Sequence, residues 1–438
     1  MTISIIGLGK LGASMTAAIA SKGFNVIGVD NNQQTIDLVN AGHAPVQETN
    51  LEETVADNSL RIRATKDYTD AIMNSDLSFV IVPTPSNPNG SFSLEYVSEV
   101  FYQIGEVLKN KNEYHNIVLA STVLPGATRF GLLPILEKVS SKKCGNHFGL
   151  CYSPEFIALG SIIQDFLNPD FTLIGEFDKR CGGYLEKFYS EIMENNSPCK
   201  RMSLENAELT KVALNTYVTT KITYANMLAD LCERIPGGNV DIVTDALGAD
   251  TRIGNKYLKG ALGYGGPCFP RDNLALGYFA NAIGSESGIA EVTDQMNRLL
   301  PSRIVHQLMP MITKETTVAI LGLAYKPHSQ VTEESQAMSL LQALNRIDVR
   351  VVGYDPLVEG YNSLKYCLKR ANIVLITNPD PVFKSLTVED FLPNTTVIDF
   401  WRILDQELSN KLRINYIPVG RCINDKQYTK QLAKIWNQ

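Results

Sequence analysis

Over the first two hundred residues, short apolar runs that end in turn residues alternate with helix-patterned stretches. Ile3–Ile6 is such a run, ending at Gly7, and Leu11–Lys22 after it reads as a helix. Asn25–Val29 closes on Asp30, and Leu77–Val82, Ile117–Ala120, Phe148–Tyr152 and Phe171–Ile174 follow as further strands. Strands alternating with helices predict a parallel sheet with helical crossovers. The character changes near residue 200. Leu204–Ile235 contains no Gly or Pro and predicts one long helix, stopped by Pro236-Gly237-Gly238. More helical text follows, broken by the glycine-rich stretch 260–266, with no evident strand. After Pro301 the alternation resumes. Thr317–Leu321 enters Gly322, Val349–Tyr354 closes on Asp355-Pro356, and Ile373–Thr377 and Thr396–Phe400 complete a smaller unit.

Composition narrows the class. At 438 residues the chain is too long for one ordinary core. A hydrophobic share of 44% with 20% charged residues describes a globular protein. The formal charge of −6 leaves no basic footprint, so nucleic acid is not an expected partner. The start lacks a leader pattern, and no apolar run approaches the ~20 residues of a membrane span. A cytoplasmic protein without a membrane partner is expected. The eight cysteines form no CxxC pair, which argues against a disulfide framework and against a metal site.

Two stretches carry candidate chemistry. Gly7-Leu8-Gly9-Lys10-Leu11-Gly12 fits G-x-G-x-x-G between a strand and a helix. Such glycines permit a tight turn, approach to a pyrophosphate and close packing of helix on strand. Asp30, 18 residues after Gly12, is placed to accept hydrogen bonds from ribose hydroxyls, which favours NAD over NADP. The expected fold class is therefore α/β. Two Rossmann-like parallel-sheet domains, residues 1–200 and 301–438, are joined by a central helical domain, 201–300, containing the long helix. The second stretch is Gly263-Tyr264-Gly265-Gly266-Pro267-Cys268-Phe269-Pro270-Arg271-Asp272. A cysteine at a helix start is activated by the macrodipole, and Asp272 lies one turn beyond it. Lys211 and Asn215, spaced i and i+4, either donate to a developing oxyanion or are solvated positions on a helix face. None of the five histidines lies near these segments.

Together these motifs resemble the UDP-glucose/GDP-mannose dehydrogenase family, in the family's order and over nearly the whole chain. The resemblance is carried by Gly7–Gly12, Val82-Pro83-Thr84-Pro85, Ser121-Thr122-Val123, Ser153-Pro154-Glu155-Phe156, Glu208-Leu209-Thr210-Lys211 with Asn215, Arg252–Lys256, the Cys268 loop and Gly322–Pro327. It implies two successive oxidations of a nucleotide sugar's C6 alcohol, consuming two NAD⁺, through a thiohemiacetal and a thioester on Cys268. By the same resemblance Lys211 and Asn215 stabilise oxyanions, Asp272 and Thr122 hold or activate water, and Glu155 assists hydrolysis. Lys10, Leu11, Pro83, Thr84, Thr122 and Arg271 join the glycines and Asp30 around the cofactor. Phe156, Ile157, Arg252, Lys259, Tyr264, Gly265, Gly266, Lys326 and Arg402 join Glu155, Lys211 and Asn215 around the substrate, with Arg252 reaching in from a neighbouring subunit. Pairing through the central helices implies a homodimer or a higher homo-oligomer.

The chain departs from the family pattern at several positions. Pro267 replaces a small hydroxyl residue and Arg271 a lysine. Leu159 replaces a carboxylate, Glu333 stands where an arginine reaches the cofactor, and Arg402 is displaced by one. The cysteine loop lacks the histidine often seen in the acetamido-sugar branch, which favours UDP-glucose over a UDP-N-acetylhexosamine. GDP-mannose, a two-electron β-hydroxyacid dehydrogenase and an inactive nucleotide-sugar binder are the alternatives.

Overall fold

The computed structural model describes residues 1–404 and 413–436. Among these residues the chain divides into two compact units, Met1–Ala213 and Leu214–Gln438.

In the first unit eight strands form one sheet: β1 (Thr2–Ile6), β2 (Asn25–Val29), β3 (Ile62–Thr65), β4 (Leu77–Val80), β5 (His115–Leu119), β6 (Phe148–Tyr152), β7 (Thr172–Glu176) and β8 (Cys199–Ser203). Their order is β3-β2-β1-β4-β5-β6-β7-β8. The first six run parallel. Alternate residues of one strand enter two different cores: Ile6, Val80, Leu119 and Tyr152 pack on one face, Ile5, Phe79, Val118 and Cys151 on the other. A strand buried on both faces needs an unbroken apolar run, and for that reason these strands were readable from sequence.

Two strands were not. β3, Ile-Arg-Ala-Thr, and β8, Cys-Lys-Arg-Met-Ser, lie at the sheet edges and are only partly buried. Their polar positions therefore hide the pattern. The direction of β7 also differs from the parallel arrangement expected. Cys151 pairs with Glu176 and Tyr152 with Gly175, so β7 runs antiparallel to β6. The 153–171 connection consequently stays at the C-terminal edge of the sheet instead of crossing it, which keeps Glu155 at that edge.

The long helix is Leu204–Cys232. It ends three residues before the predicted stop, where a Cβ at Gly238 would meet the Cys232 carbonyl oxygen at 2.1 Å. The second unit continues with helices Val240–Ala249, Phe269–Ala282 and Gly288–Leu308. Pro301 lies inside the last of these, so the helical part runs past the proline that suggested a boundary.

A five-stranded parallel sheet follows: β9 (Thr317–Leu321), β10 (Arg350–Tyr354), β11 (Ile373–Ile376), β12 (Thr396–Asp399) and β13 (Asn415–Pro418), in the order β10-β9-β11-β12-β13. The unpredicted β13 is again an edge strand, short and ending in proline. Among the described residues no helix is long and apolar enough to cross a membrane.

Candidate active site

The functional residues of the first unit gather on loops after the C-terminal ends of its parallel strands. Gly7 follows β1 with φ +100°, and its N–H donates to the Val29 carbonyl at 2.8 Å. A Cβ here would meet the Ile81 carbonyl oxygen at 2.2 Å, and one at Gly12 would meet the Gly7 oxygen at 1.8 Å. Only glycine lets helix Lys10–Ser21 sit this close to the sheet. Gly9 is different: a Cβ there would meet nothing within 4 Å. Gly9 caps the helix without a side-chain bond, and no acid stands in the first turn. Exposed peptide donors at a helix N-terminus with open space before them fit a dinucleotide pyrophosphate. Asp30, at the end of β2, accepts from the Leu8 N–H through Oδ2 and from the Asn32 N–H through Oδ1, both at 2.8 Å. Its carboxylate is thereby fixed beside the glycine turn.

The next two loops are tied together. Ser121 Oγ accepts from the Val82 N–H at 2.9 Å and donates to the Val82 carbonyl at 2.7 Å. Thr84 Oγ1 donates to the Thr122 carbonyl at 2.7 Å. The buried Glu208 carboxylate of the long helix accepts the N–H groups of Gly126, at 2.5 Å, and Thr128, at 2.8 Å. Sequence reasoning quoted Glu208 as part of a signature without a role. Its role is to anchor the turn that follows Thr122.

Glu155 follows β6. Burial pushes its carboxyl up to about 7, against the opposing pull of a Tyr189 hydrogen bond and the Lys211 charge. Lys211 Nζ donates to the Glu155 carbonyl at 2.6 Å and lies 4.5 Å from the centre of the Phe156 ring. The Phe156 ring packs in turn on Phe171, 4.9 Å away. Lys211 is therefore held by the Glu155–Phe156 loop and is not a freely solvated cation. Tyr189, which contacts Glu155 directly, was missed by sequence reading, and Ser153, which reaches Glu155 through Tyr189, was quoted in a motif without a role. The only sequence signal for Tyr189 was an aromatic position in a buried helix.

In the second unit Cys268 is the one exposed cysteine of eight, and it occupies the N-cap of helix Phe269–Ala282. Asp272, in the first turn, is buried. Its Oδ2 accepts from Asn215 Nδ2 at 2.6 Å, and Arg271 Nε stands 3.4 Å from Oδ1. Asn215 is thus a clamp on Asp272. One turn further along the long helix, Thr219 bonds to Asn273, the residue next to Asp272.

The glycines before Cys268 make room mainly for the chain itself. A Cβ at Gly263 would meet Asn297 Oδ1 at 2.0 Å, one at Gly265 the Glu334 carbonyl oxygen at 2.4 Å, and one at Gly266 the Tyr325 ring at 2.7 Å. Tyr264 is buried, its hydroxyl 3.3 Å from Asn273 Nδ2 and its peptide N–H donating to Asn297 Oδ1. The Tyr264 side chain thereby frames the loop.

Three family models match this chain in sequence order. The NAD-binding domain of the UDP-glucose/GDP-mannose dehydrogenase family covers residues 1–193, the central domain 205–299 and the UDP-binding domain 319–406. The chain belongs to the UDP-glucose/GDP-mannose dehydrogenase family.

It is accordingly an NAD-dependent dehydrogenase. Among curated relatives, UDP-glucose 6-dehydrogenase AglM of Haloferax volcanii is 33% identical over 92% of this chain and 97% of its own. GDP-mannose 6-dehydrogenase of Azotobacter vinelandii is 32% identical over 93% and 98%. The solved UDP-glucose dehydrogenase of Pyrobaculum islandicum superposes with a TM-score of 0.86 at 28% identity, covering 96% of this chain and 98% of the other.

Residues carried by the family resemblance alone separate into two kinds. Arg252 is 87% exposed and paired with Asp250, and Lys259 is exposed. Lys326 lies along the Tyr325 ring. Arg402 is different. With its side chain 2% exposed, its guanidinium makes a two-point pair with Asp241 and donates to the carbonyls of Gly260, Phe400 and Val419. These donors are taken up inside the second unit. Glu333, which stands where the family has an arginine, has an exposed side chain, while its carbonyl accepts the Gly266 N–H at 3.0 Å.

Proposed function

We propose that this protein oxidises the C6 alcohol of UDP-glucose to the carboxylate through a covalent step on Cys268. The observation that carries the reading is Cys268 itself: an exposed thiol at a helix N-cap, one turn from a buried carboxylate that Asn215 holds in place. Gly7–Gly12, Asp30 and the Thr84–Thr122 loops are the residues that would hold NAD⁺, which when bound supplies the hydride acceptor for both oxidations. The Lys211 ammonium stabilises the alkoxide of the first oxidation. The Cys268 thiolate, a soft nucleophile favoured by the helix N-terminus, adds to the aldehyde carbon. The thiohemiacetal so formed gives up its C6 hydride in the second oxidation, and the resulting thioester is cleaved by water, with Asp272 orienting the water and Glu155 taking its proton. Glu155 is suited to that task because a base works best when its proton affinity lies near the working pH.

The UDP-binding family model over 319–406 and the relatives named UDP-glucose 6-dehydrogenase support uridine and glucose. A homodimer belongs to the same reading. Tyr217, Tyr224, Met227 and Leu231 are exposed at heptad-like spacing on the long helix, a stripe suited to pairing. The cytoplasm is the proposed setting, since no disulfide joins any of the eight cysteines.

Moles of NADH formed per mole of UDP-glucose, run beside GDP-mannose and UDP-N-acetylhexosamines, test the reaction and the sugar. A ratio of two is expected with UDP-glucose, whereas a ratio of one would remove the second oxidation. Cys268→Ser should bind substrate and lose turnover, and undiminished uronate production by that variant would sink the covalent step. Lys211→Ala should lower turnover by roughly a hundredfold, the scale of removing one oxyanion donor.

A further inference from the structure

Inside the first unit Ser153, Tyr189 and Glu155 form a chain. Ser153 Oγ donates to the Leu173 carbonyl at 2.8 Å and stands 2.9 Å from the Tyr189 hydroxyl. That hydroxyl is 3.3 Å from Glu155 Oε1. Ser153 and Tyr189 are both buried, so water does not replace a missing bond.

The hydrogens available decide how such a chain behaves. Two hydroxyl hydrogens serve three contacts. With Glu155 protonated, its own hydrogen goes to Tyr189, Tyr189 donates to Ser153, and Ser153 donates to Leu173. Every contact is filled. With Glu155 ionised, Tyr189 turns its single hydrogen to the carboxylate, and one contact of Ser153 is left without a hydrogen. Ser153 and Glu155 compete for one donor.

We propose that Tyr189 and Ser153 are positioning residues that govern when Glu155 holds a proton, Tyr189 by donating to the carboxylate and Ser153 by competing for that donor. The inference rests on Glu155 being the proton acceptor in thioester hydrolysis. In that step the water oxygen bonds to the acyl carbon as one of its protons passes to Glu155. The C–S bond breaks with its electron pair on the Cys268 sulfur, and the carboxylic acid formed releases its proton to solvent. Tyr189 and Ser153 then re-aim so that all three contacts are filled. The groups facing Glu155 are Tyr189, from helix Lys179–Ile192, and Lys211, from the long helix; Cys151 of β6 faces Tyr189.

The test is a titration of Glu155 in protein carrying ¹³C at the glutamate carboxyls, assigned by difference from Glu155→Gln. Tyr189→Phe removes the hydroxyl that bonds the carboxylate and should raise the midpoint by roughly one pH unit, while Ser153→Ala frees that donor and should lower it by roughly half a unit. Opposite signs are not what simple loosening of one buried spot produces. Midpoints that stay put, or move the same way, overturn the inference. If Tyr189→Phe does not fold, Ser153→Ala decides alone: a downward move supports the chain, and any other result overturns it. The acid limb of kcat with UDP-glucose and NAD⁺ should follow the carboxyl midpoints. Midpoints that separate while the acid limb does not would remove Glu155 from the reaction and leave the hydrogen-bond chain standing.

Discussion

The protein builds the same turn twice and uses it differently. Gly7 after β1 and Gly322 after β9 have φ values of +100° and +101°, and each N–H donates at 2.8 Å to the last residue of the neighbouring strand, Val29 or Tyr354. Each neighbouring strand is followed by an aspartate, Asp30 or Asp355. Beyond this the two ends diverge. In the first unit a helix begins at Lys10, and Gly9 opens onto free space. In the second unit no helix begins until Gln336. There the buried Asp355 accepts four backbone N–H groups, from Leu323 and Ala324 at one oxygen and Leu357 and Val358 at the other. A shared strand–turn geometry therefore says little about ligand. Whether the turn's donors are left over or taken up by the chain decides it.

The largest effect should come from filling the close approaches. Gly12→Ala drives a methyl into the Gly7 carbonyl, 1.8 Å away, and should cost about 3 kcal/mol or more, with loss of NAD⁺ binding. Gly322→Ala, 2.2 Å from the Asn378 Cβ, should lower the melting temperature while the NAD⁺ Kd stays put. Calorimetric titration and thermal melts of both variants would break the comparison if Gly322→Ala also weakened NAD⁺.

The aspartates come next. Asp355→Asn should lose about 2 kcal/mol of stability through its buried backbone bonds and keep NAD⁺ affinity. Asp30→Asn should melt nearly as the parent does and weaken NAD⁺ about tenfold, a change of about 1.4 kcal/mol. Equal melting shifts for the two would erase the distinction between a structural and a ligand-facing carboxylate. Gly9→Ala should change stability by less than about 0.5 kcal/mol, since nothing meets the new methyl, yet raise the NAD⁺ Kd. An unchanged Kd would mean that the space before the helix is not used.

A last contrast concerns Glu155, whose carboxyl faces a hydroxyl where Asp355 faces backbone N–H groups. Burial raises its folded value to about 7 from an ordinary 4.5. The folded state then binds the extra proton, so this contribution to stability is fullest below pH 4.5 and declines as pH rises to about 7. Glu155→Gln should flatten that part of the stability–pH curve. A slope that persists in the variant would assign it to another group.

Sequence alone determined the α/β–helical–α/β layout, the glycine turn of the NAD-binding domain and the cysteine loop. Central strands buried on both faces require apolar runs, and tight turns and helix stops require Gly, Pro or Asp; these demands are local and leave local traces. Edge strands β3, β8 and β13 left none, because a half-exposed strand tolerates polar residues such as Arg63, Lys200 and Asn415. The tertiary structure alone decided partnership. It paired Asn215 with Asp272, turned Arg402 inward onto Asp241, gave Glu208 a turn to hold and set Tyr189 between Ser153 and Glu155. Each pairing joins residues far apart in the chain. A hydrogen bond depends on distance in space and on which donors remain unsatisfied, and spacing along the sequence encodes neither.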